Sequence, residues 1–424
     1  MRRIAGVVFG LFVGTASGQV TFTPIELPGH SITVTGLSPD GLVVTGSIGD
    51  GRAFTWSRAR GFRFLAPAPG YDAAIAKAVT DDEAVVVGRS SRAVGPSQTE
   101  LTGTVWGASS PPIALPDLAG GPDRCDAEDV SDDGRIIVGF GNTANGPEAV
   151  RWIDGQPEGL GDLPGGDFYS SSVAISPNGQ FVVGVSVSGY HPDGRAVFEA
   201  FSWSEAAGLN GLGVPSNAFS TLPSGVGNNG VAVGYAGPLD PNTAYPTAVR
   251  WRPGQAPEML FAGQALDVAA SGKLLVGNTI APDPVGQRAV VWDEVNGTRR
   301  LEDLLMSVGV DLGDEVLRRG TAVSGDGTTI LVDGSNALNG QSFFGVVTIP
   351  RTTFCGRGDL SGPSTPGVPD GALTGSDFFE FLARFSAGDL SVDFAGPGAP
   401  ATPDGSLTGA DFFAFLTYFQ GGCQ

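Results

Sequence analysis

The sequence predicts a mainly β fold: a seven-bladed β-propeller of four-stranded blades, closed by an N-terminal strand and followed by a small α-helical domain. Three observations carry this. Six tryptophans, Trp56, Trp106, Trp152, Trp203, Trp251 and Trp292, stand 50, 46, 51, 48 and 41 residues apart. Short β-branched runs joined by tight-turn sequences recur at the same period. The last 70 residues break this pattern with a duplication of their own at an offset of 34 residues.

The chain opens on a signal pattern over residues 1–18. Arg2 and Arg3 precede an apolar run, Ile4 to Gly14, that is too short to span a bilayer. Ala16-Ser17-Gly18 then offers the small residues a signal peptidase needs, which makes Gln19 the mature start. Losing two arginines takes the formal charge from -20 to -22. So acidic a surface opposes nucleic acid and anionic lipid, which are bound by clustered Lys and Arg, and it keeps an exported protein soluble. No other stretch reaches the roughly 18 apolar residues of a spanning helix, so the mature chain is expected outside the cell without a transmembrane segment.

Residues 19–350 form the repeat domain. Each unit begins with an apolar strand, then a turn such as Ser131-Asp132-Asp133-Gly134 or Ser176-Pro177-Asn178-Gly179, then a strand ending in glycine. The Gly supplies the positive φ that such turns require. A third strand carries the tryptophan, as in Ala149-Val150-Arg151-Trp152 and Ala248-Val249-Arg250-Trp251. A Leu-x-x-Leu segment such as Leu160-Gly161-Asp162-Leu163 gives a short fourth strand. About 45 residues in four strands matches a propeller blade, and one large aromatic per unit is what packing between blades uses. A stacked-hairpin solenoid is the rival. The seventh unit, from Ala322 to Ile349, stops before its fourth strand, and Phe22-Thr23-Pro24-Ile25-Glu26-Leu27-Pro28-Gly29 supplies one from the mature N-terminus. That division between the two ends closes a ring and has no purpose in a solenoid.

The array resembles the extracellular HAF repeats over roughly residues 30 to 350. The tripeptide slot before the tryptophan reads Arg52-Ala53-Phe54 and Glu199-Ala200-Phe201, without the family's histidine. The resemblance implies a secreted repeat protein and no established activity.

Catalytic apparatus is not visible. His30 and His191 are the two histidines of the chain, and there is no His-x-x-x-His, cysteine cluster or Gly-x-Ser-x-Gly in a strand-to-helix setting. Asp40, Asp132, Asp133 and Asp326 recur at one turn position, where turn chemistry explains them. No catalytic residue is therefore assigned, and whether the protein is an enzyme stays open, with a non-catalytic role favoured. A carboxylate pair brought together by distant loops is the enzymatic alternative. Cys125 lies among acidic neighbours that raise its thiol pKa.

Residues 351–354 read as a linker to a last domain over residues 355–424. There Asp370-Gly371-Ala372-Leu373-Thr374-Gly375-Ser376-Asp377-Phe378-Phe379 returns as Asp404-Gly405-Ser406-Leu407-Thr408-Gly409-Ala410-Asp411-Phe412-Phe413. Asp359 recurs as Asp393. A short, Gly-containing acidic loop ending in a carboxylate just inside a helix suits calcium, which takes several oxygen ligands. The expected donors are Asp359, Ser361, Asp370, Ala372 and Asp377 in the first loop, and Asp393, Asp404, Ser406 and Asp411 in the second, with one ion each. Phenylalanines and leucines at 3.6 spacing follow each loop and predict two amphipathic helices. Thr374 with Asp377, and Thr408 with Asp411, equally read as capping boxes that need no metal. Cys355 and Cys423 flank the pair and are expected to form a disulfide, leaving Cys125 free.

This tandem resembles a dockerin, in particular the variant ending in Gly-Cys, here Gly421-Gly422-Cys423. The resemblance implies an EF-hand-like calcium module that binds a cohesin-like receptor on a scaffold or cell surface, and carriers that often degrade polysaccharides. Where dockerins commonly have Ser-Thr to read the receptor, this chain has Gly375-Ser376 and Gly409-Ala410. The function expected is a secreted, non-catalytic binding or structural propeller anchored by that module, with carbohydrate or another extracellular protein as partner. The alternative is a glycoside hydrolase or polysaccharide lyase using propeller-loop carboxylates.

Overall fold

A computed structural model describes residues 20–95, 98–239, 245–280, 286–349, 360, 375–395 and 405–421. The expected mainly β class is what the chain adopts. The β region consists of four-stranded antiparallel units built in sequence order, each starting from one of the strands Ile32–Leu37, Ala73–Val79, Asp126–Val130, Ser170–Ile175, Ala218–Val226, Glu258–Val268 and Glu315–Val323. Two of these units are fused. The long strand Glu258–Val268 pairs through Glu258 to Ala262 with Thr247–Trp251 and through Gly263 to Val268 with Leu275–Ile280. It is the last strand of one unit and the first of the next, so a single seven-stranded sheet results. Sequence periodicity does not expose this fusion, because no turn residue interrupts the strand.

The final unit takes its outer strand from the N-terminus. Thr21–Ile25 lies antiparallel to Ser342–Thr348, with Thr21 opposite Thr348 and Ile25 opposite Phe344. A buried cluster of Ile25, Val44, Leu331 and Val346 then joins this last sheet to the first. The other seams have the same composition. Val43, Ala53 and Leu65 of the first unit pack on Ala74, Val86 and Trp106 of the second. Val87 and Leu115 pack on Ile137 and Trp152, and Leu160 and Leu163 on Val182, Phe201 and Trp203. Each tryptophan thus covers the sheet before it, as a lone twisted sheet requires. Trp106 and Trp152 also donate their indole N–H to carbonyls in the preceding connection, Ala66 O at 2.6 Å and Pro116 O at 2.7 Å. Most buried indoles find such an acceptor; Trp251 Nε1, buried in a later seam, has none among the described residues.

The turn motif explains its own sequence. In Ser38-Pro39-Asp40-Gly41 the serine hydroxyl donates to Asp40 Oδ1 at 2.6 Å, which also accepts the Leu42 amide. Ser131 with Asp133, Ser176 with Asn178 and Ser324 with Asp326 repeat it. The fourth residue has positive φ, for example 74° at Gly41 and 72° at Gly134, and in the second unit Glu83 holds this strained position at 53°. Successive turns are hydrogen bonded to one another. Asp132 N donates to Pro177 O, Asn228 N to Ala270 O, Ala270 N to Gly325 O and Gly325 N to Pro39 O. The last of these links the seventh unit to the first.

One element was not foreseen. Helix α1, Leu301–Ser307, inserts before the last unit and buries Leu301 and Leu305 in its seam. Those two residues are i, i+4 and the run is only 7 residues long, too short to stand out as periodic. The C-terminal region forms the two expected helices, α2 (Gly375–Ala387) and α3 (Gly409–Gly421). Phe381 and Phe415, offset by 34 like the sequence repeat, stack at 4.1 Å between ring centroids and are fully buried. Phe394, Val392 and Leu360 complete that small core.

Candidate functional site

The inner strands of the β units converge on one cavity. Its wall takes Leu37, Ala78, Asp129, Ala174, Gly225, Asp267 and Val323, one residue from each of the seven first strands. A β-bulge precedes the same position in every unit, after Val34, Ala76, Ala127, Ser172, Pro223, Ala265 and Gly320. The residue after the bulge is Gly36, Ala78, Asp129, Ala174, Gly225, Asp267 or Ala322. Small side chains are needed because the next inner strand crowds in: a Cβ on Gly36 would come 2.1 Å from Lys77 O.

Two aspartates stand where the others are small. Asp129 Oδ2 accepts the Ile175 amide of the next unit at 2.9 Å, and its Oδ1 accepts the Val130 amide at 2.8 Å. Asp267 does the same with Val323 and Val268, both at 2.8 Å. Each carboxylate therefore stitches two neighbouring inner strands. Burial in the centre of the protein pushes Asp129 up to about 6 and Asp267 up to about 7, against the backbone amides, which favour the charged form. Both keep part of their surface open to the cavity, so water there offsets some of that burial. A raised carboxylate pair in a cavity is the signature of an acid–base site. The volume decides against a sugar substrate at this place. The cavity holds about 100 Å³, which is room for a few waters, whereas ligand sites span roughly 300–1,000 Å³. The pair is structural. A comparison of Ala127-Glu128-Asp129-Val130 with Ala265-Leu266-Asp267-Val268 against the other units is the signal that would have found it.

A second charged cluster joins two of these inner strands, Ala73–Val79 and Asp126–Val130, to the neighbouring strand Val85–Gly95. Lys77 Nζ reaches Asp126 at 2.8 Å and Glu128 at 2.6 Å, and Arg89 reaches Asp126 at 3.1 Å. Burial raises Glu128, opposed chiefly by the Lys77 charge. Cys125 is buried and free. Its thiol is pushed up to about 11, first by burial and only secondarily by Asp117 and Asp126, so it is unreactive for a stronger reason than its acidic neighbours alone. Of the two histidines, His30 is exposed, and His191 lies 3.2 Å from Asp193 with its ring 5.7 Å from Phe219. No serine or cysteine among the described residues bonds to either.

Of the expected calcium donors, Asp377, Asp393, Ser406 and Asp411 lie among the described residues. Asp359, Ser361, Asp370, Ala372 and Asp404 lie outside them, as do Cys355 and Cys423, the signal sequence and the linker. The two copies are bonded alike. Asp377 Oδ1 accepts the Leu360 amide at 2.7 Å, and Asp411 Oδ1 accepts the Phe394 amide at 2.7 Å, with Leu360 and Phe394 themselves 34 residues apart. Asp411 Oδ1 also takes the Ala395 amide, and its Oδ2 takes the Thr408 amide and hydroxyl. Burial acts to raise Asp411, and these amides outweigh it and hold the carboxyl below its usual range. Asp393 Oδ2 accepts the Gly405 amide at 2.6 Å. Asp377, Asp393 and Asp411 are all buried, while Ser406 is exposed. Asp411 thus closes back on the Thr408 amide, while Thr408 Oγ1 accepts the Ala410 amide at 3.2 Å, so the helix is capped with half of the expected box. Among the described residues no group of three or more His, Cys, Asp or Glu converges as a metal site, and no helix is long and apolar enough to cross a membrane.

No family model matches the chain, and no curated protein matches it. Solved structures similar to it include the β-propeller domain of the Trilobed protease from Pyrococcus furiosus, 10% identical over 74% of this chain and 95% of that one, with a TM-score of 0.49. A putative TolB from Agrobacterium tumefaciens is 11% identical over 79% of this chain and 100% of its own, with a TM-score of 0.37.

Proposed function

We propose that this chain is a seven-bladed β-propeller, closed by its N-terminal strand, that acts outside the cell as a non-catalytic binding or structural domain and is held in place by a calcium-dependent, dockerin-like C-terminal module. The seams support this reading, since buried clusters lie between successive units and between the last unit and the first. The anchor is supported by one observation above others: the carboxylates at the heads of α2 and α3 hold Leu360 and Phe394 by equivalent bonds. A duplicated loop–helix unit of this kind presents two similar faces to a cohesin-like receptor. Polysaccharide is the ligand class proposed for the ring, by analogy with proteins that carry such modules.

The oxygen-only, acidic donor set of each loop suits calcium in kind. Asp359, Ser361, Asp370, Ala372 and Asp377 would hold one ion and Asp393, Asp404, Ser406 and Asp411 the other, and the ion would supply loop closure rather than chemistry. The four acceptor positions of Asp411 are filled by protein donors, so it has to release the Thr408 contacts in order to ligate. Calorimetric titration of the full chain with calcium tests this, with a chain ending at residue 350 as control. Two saturable sites, absent from the shortened chain and accompanied by a gain of helix, are expected. A full chain that takes up no calcium would reduce the aspartates to helix caps and remove the metal from the anchor.

A further inference from the structure

A turn follows each tryptophan and joins the third strand of its unit to the fourth. Five of these turns, Arg58-Ala59-Arg60, residues 108–112, Asp154-Gly155, Glu205-Ala206-Ala207 and residues 252–257, hold only Gly, Pro, Ala and polar residues. The sixth is Glu294-Val295-Asn296, between the strands Gln287–Asp293 and Gly297–Arg300, and it carries a branched aliphatic side chain at its centre. Turn chemistry gives no reason for a valine there, because turns favour Gly, Pro, Asn, Asp and Ser. Packing does. Val295 is half-buried, and it packs against the C-terminal core of Leu360, Phe381, Val392, Phe394 and Phe415. Among the described residues it is the only one of the β region in that cluster.

The turn is fixed before anything reaches it. Asp293 is 4% exposed, and its Oδ1 accepts the Val295 amide at 2.9 Å, the Asn296 amide at 2.7 Å and Asn296 Nδ2 at 3.0 Å, while its Oδ2 is paired with Arg299. Ser57 and Ser204 stand at the same place in two other units, and each gives its turn one such bond. A turn so held loses little freedom when its tip is covered. Its charges are matched as well. Glu294 lies 2.8 Å from Arg250 and is also paired with Arg252. The C-terminal module carries eight acidic residues against two basic ones from 355 to 424, so an unpaired carboxylate on this turn would repel it.

We infer that the C-terminal module docks on the sixth unit through Val295, so that it is seated on the β units and not merely tethered to them. One covered valine shifts such an equilibrium roughly tenfold, too little to join separate molecules. Ten residues separate Ile349 from Leu360, and a tether of that length holds the module at an effective concentration on the order of millimolar. Phe379 and Phe413 stay 71% and 69% exposed, so the seated module keeps a face open. The inference draws on neither the metal nor the receptor proposed for that module.

Small-angle X-ray scattering of the full chain tests it on wild type, Val295→Asp and Val295→Ala, in calcium-containing buffer so that a metal requirement of the module cannot mask the result. Alanine already stands in two of the other turns as Ala59 and Ala206, so Val295→Ala keeps a turn the fold accepts. Tryptophan fluorescence checks that the β units of each variant melt as in wild type. Wild type should scatter as one compact particle. Val295→Asp, which puts a charge into an apolar contact, should lower the docked fraction about tenfold or more and lengthen the maximum dimension, with Val295→Ala between the two. A wild type whose module already samples extended positions would overturn the inference. Equal maximum dimensions in all three proteins would overturn it too, since Val295 would then not be the seat.

Discussion

Replacing Asp267 by asparagine should change how stability depends on pH, and the structure gives the direction. The carboxyl moves from 3.8 to about 7 on folding because it is buried beside the cavity on which the inner strands converge. A carboxyl raised in the folded state binds its proton more tightly there than in the unfolded chain. Its stability contribution is complete below the unfolded pKa and is lost as pH climbs towards 7. A shift of about three units at roughly 1.4 kcal/mol each sets an upper bound near 4 kcal/mol, and water in the cavity brings the expected loss to about 1–3 kcal/mol. Wild-type protein should therefore melt at a higher temperature at pH 5 than at pH 8, read by scanning calorimetry. Asparagine cannot ionise, so this part of the slope disappears. Its amide must also face either the Val268 or the Val323 N–H, which costs about 1–3 kcal/mol at every pH. The variant is then clearly weaker than wild type at pH 5 and closer to it at pH 8. Equal slopes for both proteins between pH 5 and pH 8 would show that Asp267 ionises as readily folded as unfolded, and would refute the reasoning.

Trp152→Ala should cost about 4–6 kcal/mol in urea unfolding, because it empties a fully buried seam and strands the Pro116 carbonyl, whereas Trp56→Ala, at a half-buried tryptophan, costs less. Arg250 is 3% exposed, lies 4.5 Å over the Trp292 ring and bonds to Glu258 at 2.7 Å and Glu294 at 2.8 Å. Arg250→Met should cost about 2 kcal/mol, since the two half-exposed glutamates return to water while the cation–π contact is lost. Phe415→Ala removes the ring stacked on Phe381, a loss of about 3–5 kcal/mol that the small helical core cannot absorb. Limited proteolysis should then cut within the C-terminal helices. Tryptophan fluorescence, which reports the β units alone because all six tryptophans lie there, should melt unchanged.

The mainly β class, the repeat period and the two C-terminal helices were legible because each rests on a local signal. Asp-Gly or Asn-Gly turns fix hairpins, one tryptophan marks each of six units, and Phe381 and Phe415 mark one face at helical spacing. The sharing of strand Glu258–Val268 between two units was not legible, since fusing two strands leaves no turn to read. Nor was α1, about two amphipathic turns whose Leu301 and Leu305 gain their meaning from a seam far away in sequence. Asp129 and Asp267 escaped for a different reason. An aspartate next to valine in a β-rich chain looks like any surface residue until the seven bulges are superposed and the other five positions prove to be Gly or Ala. The donor roles of Asp377 and Asp411 were read from their place at the helix heads, and the structure adds that Asp411 is held by four protein donors.

The closed ring is tested most directly at its seam. Thr21 lies opposite Thr348 in the antiparallel pair. Residues so placed have Cα atoms roughly 4.5–5.5 Å apart, within the 4.4–6.8 Å a disulfide spans. The double variant Thr21→Cys with Thr348→Cys, oxidised in air and mapped by mass spectrometry after proteolysis, should yield a peptide linking the two positions, with Cys125 unmodified in the folded protein. A stacked solenoid would hold these positions at opposite ends, and complete absence of the 21–348 link in folded, monomeric protein would contradict the ring.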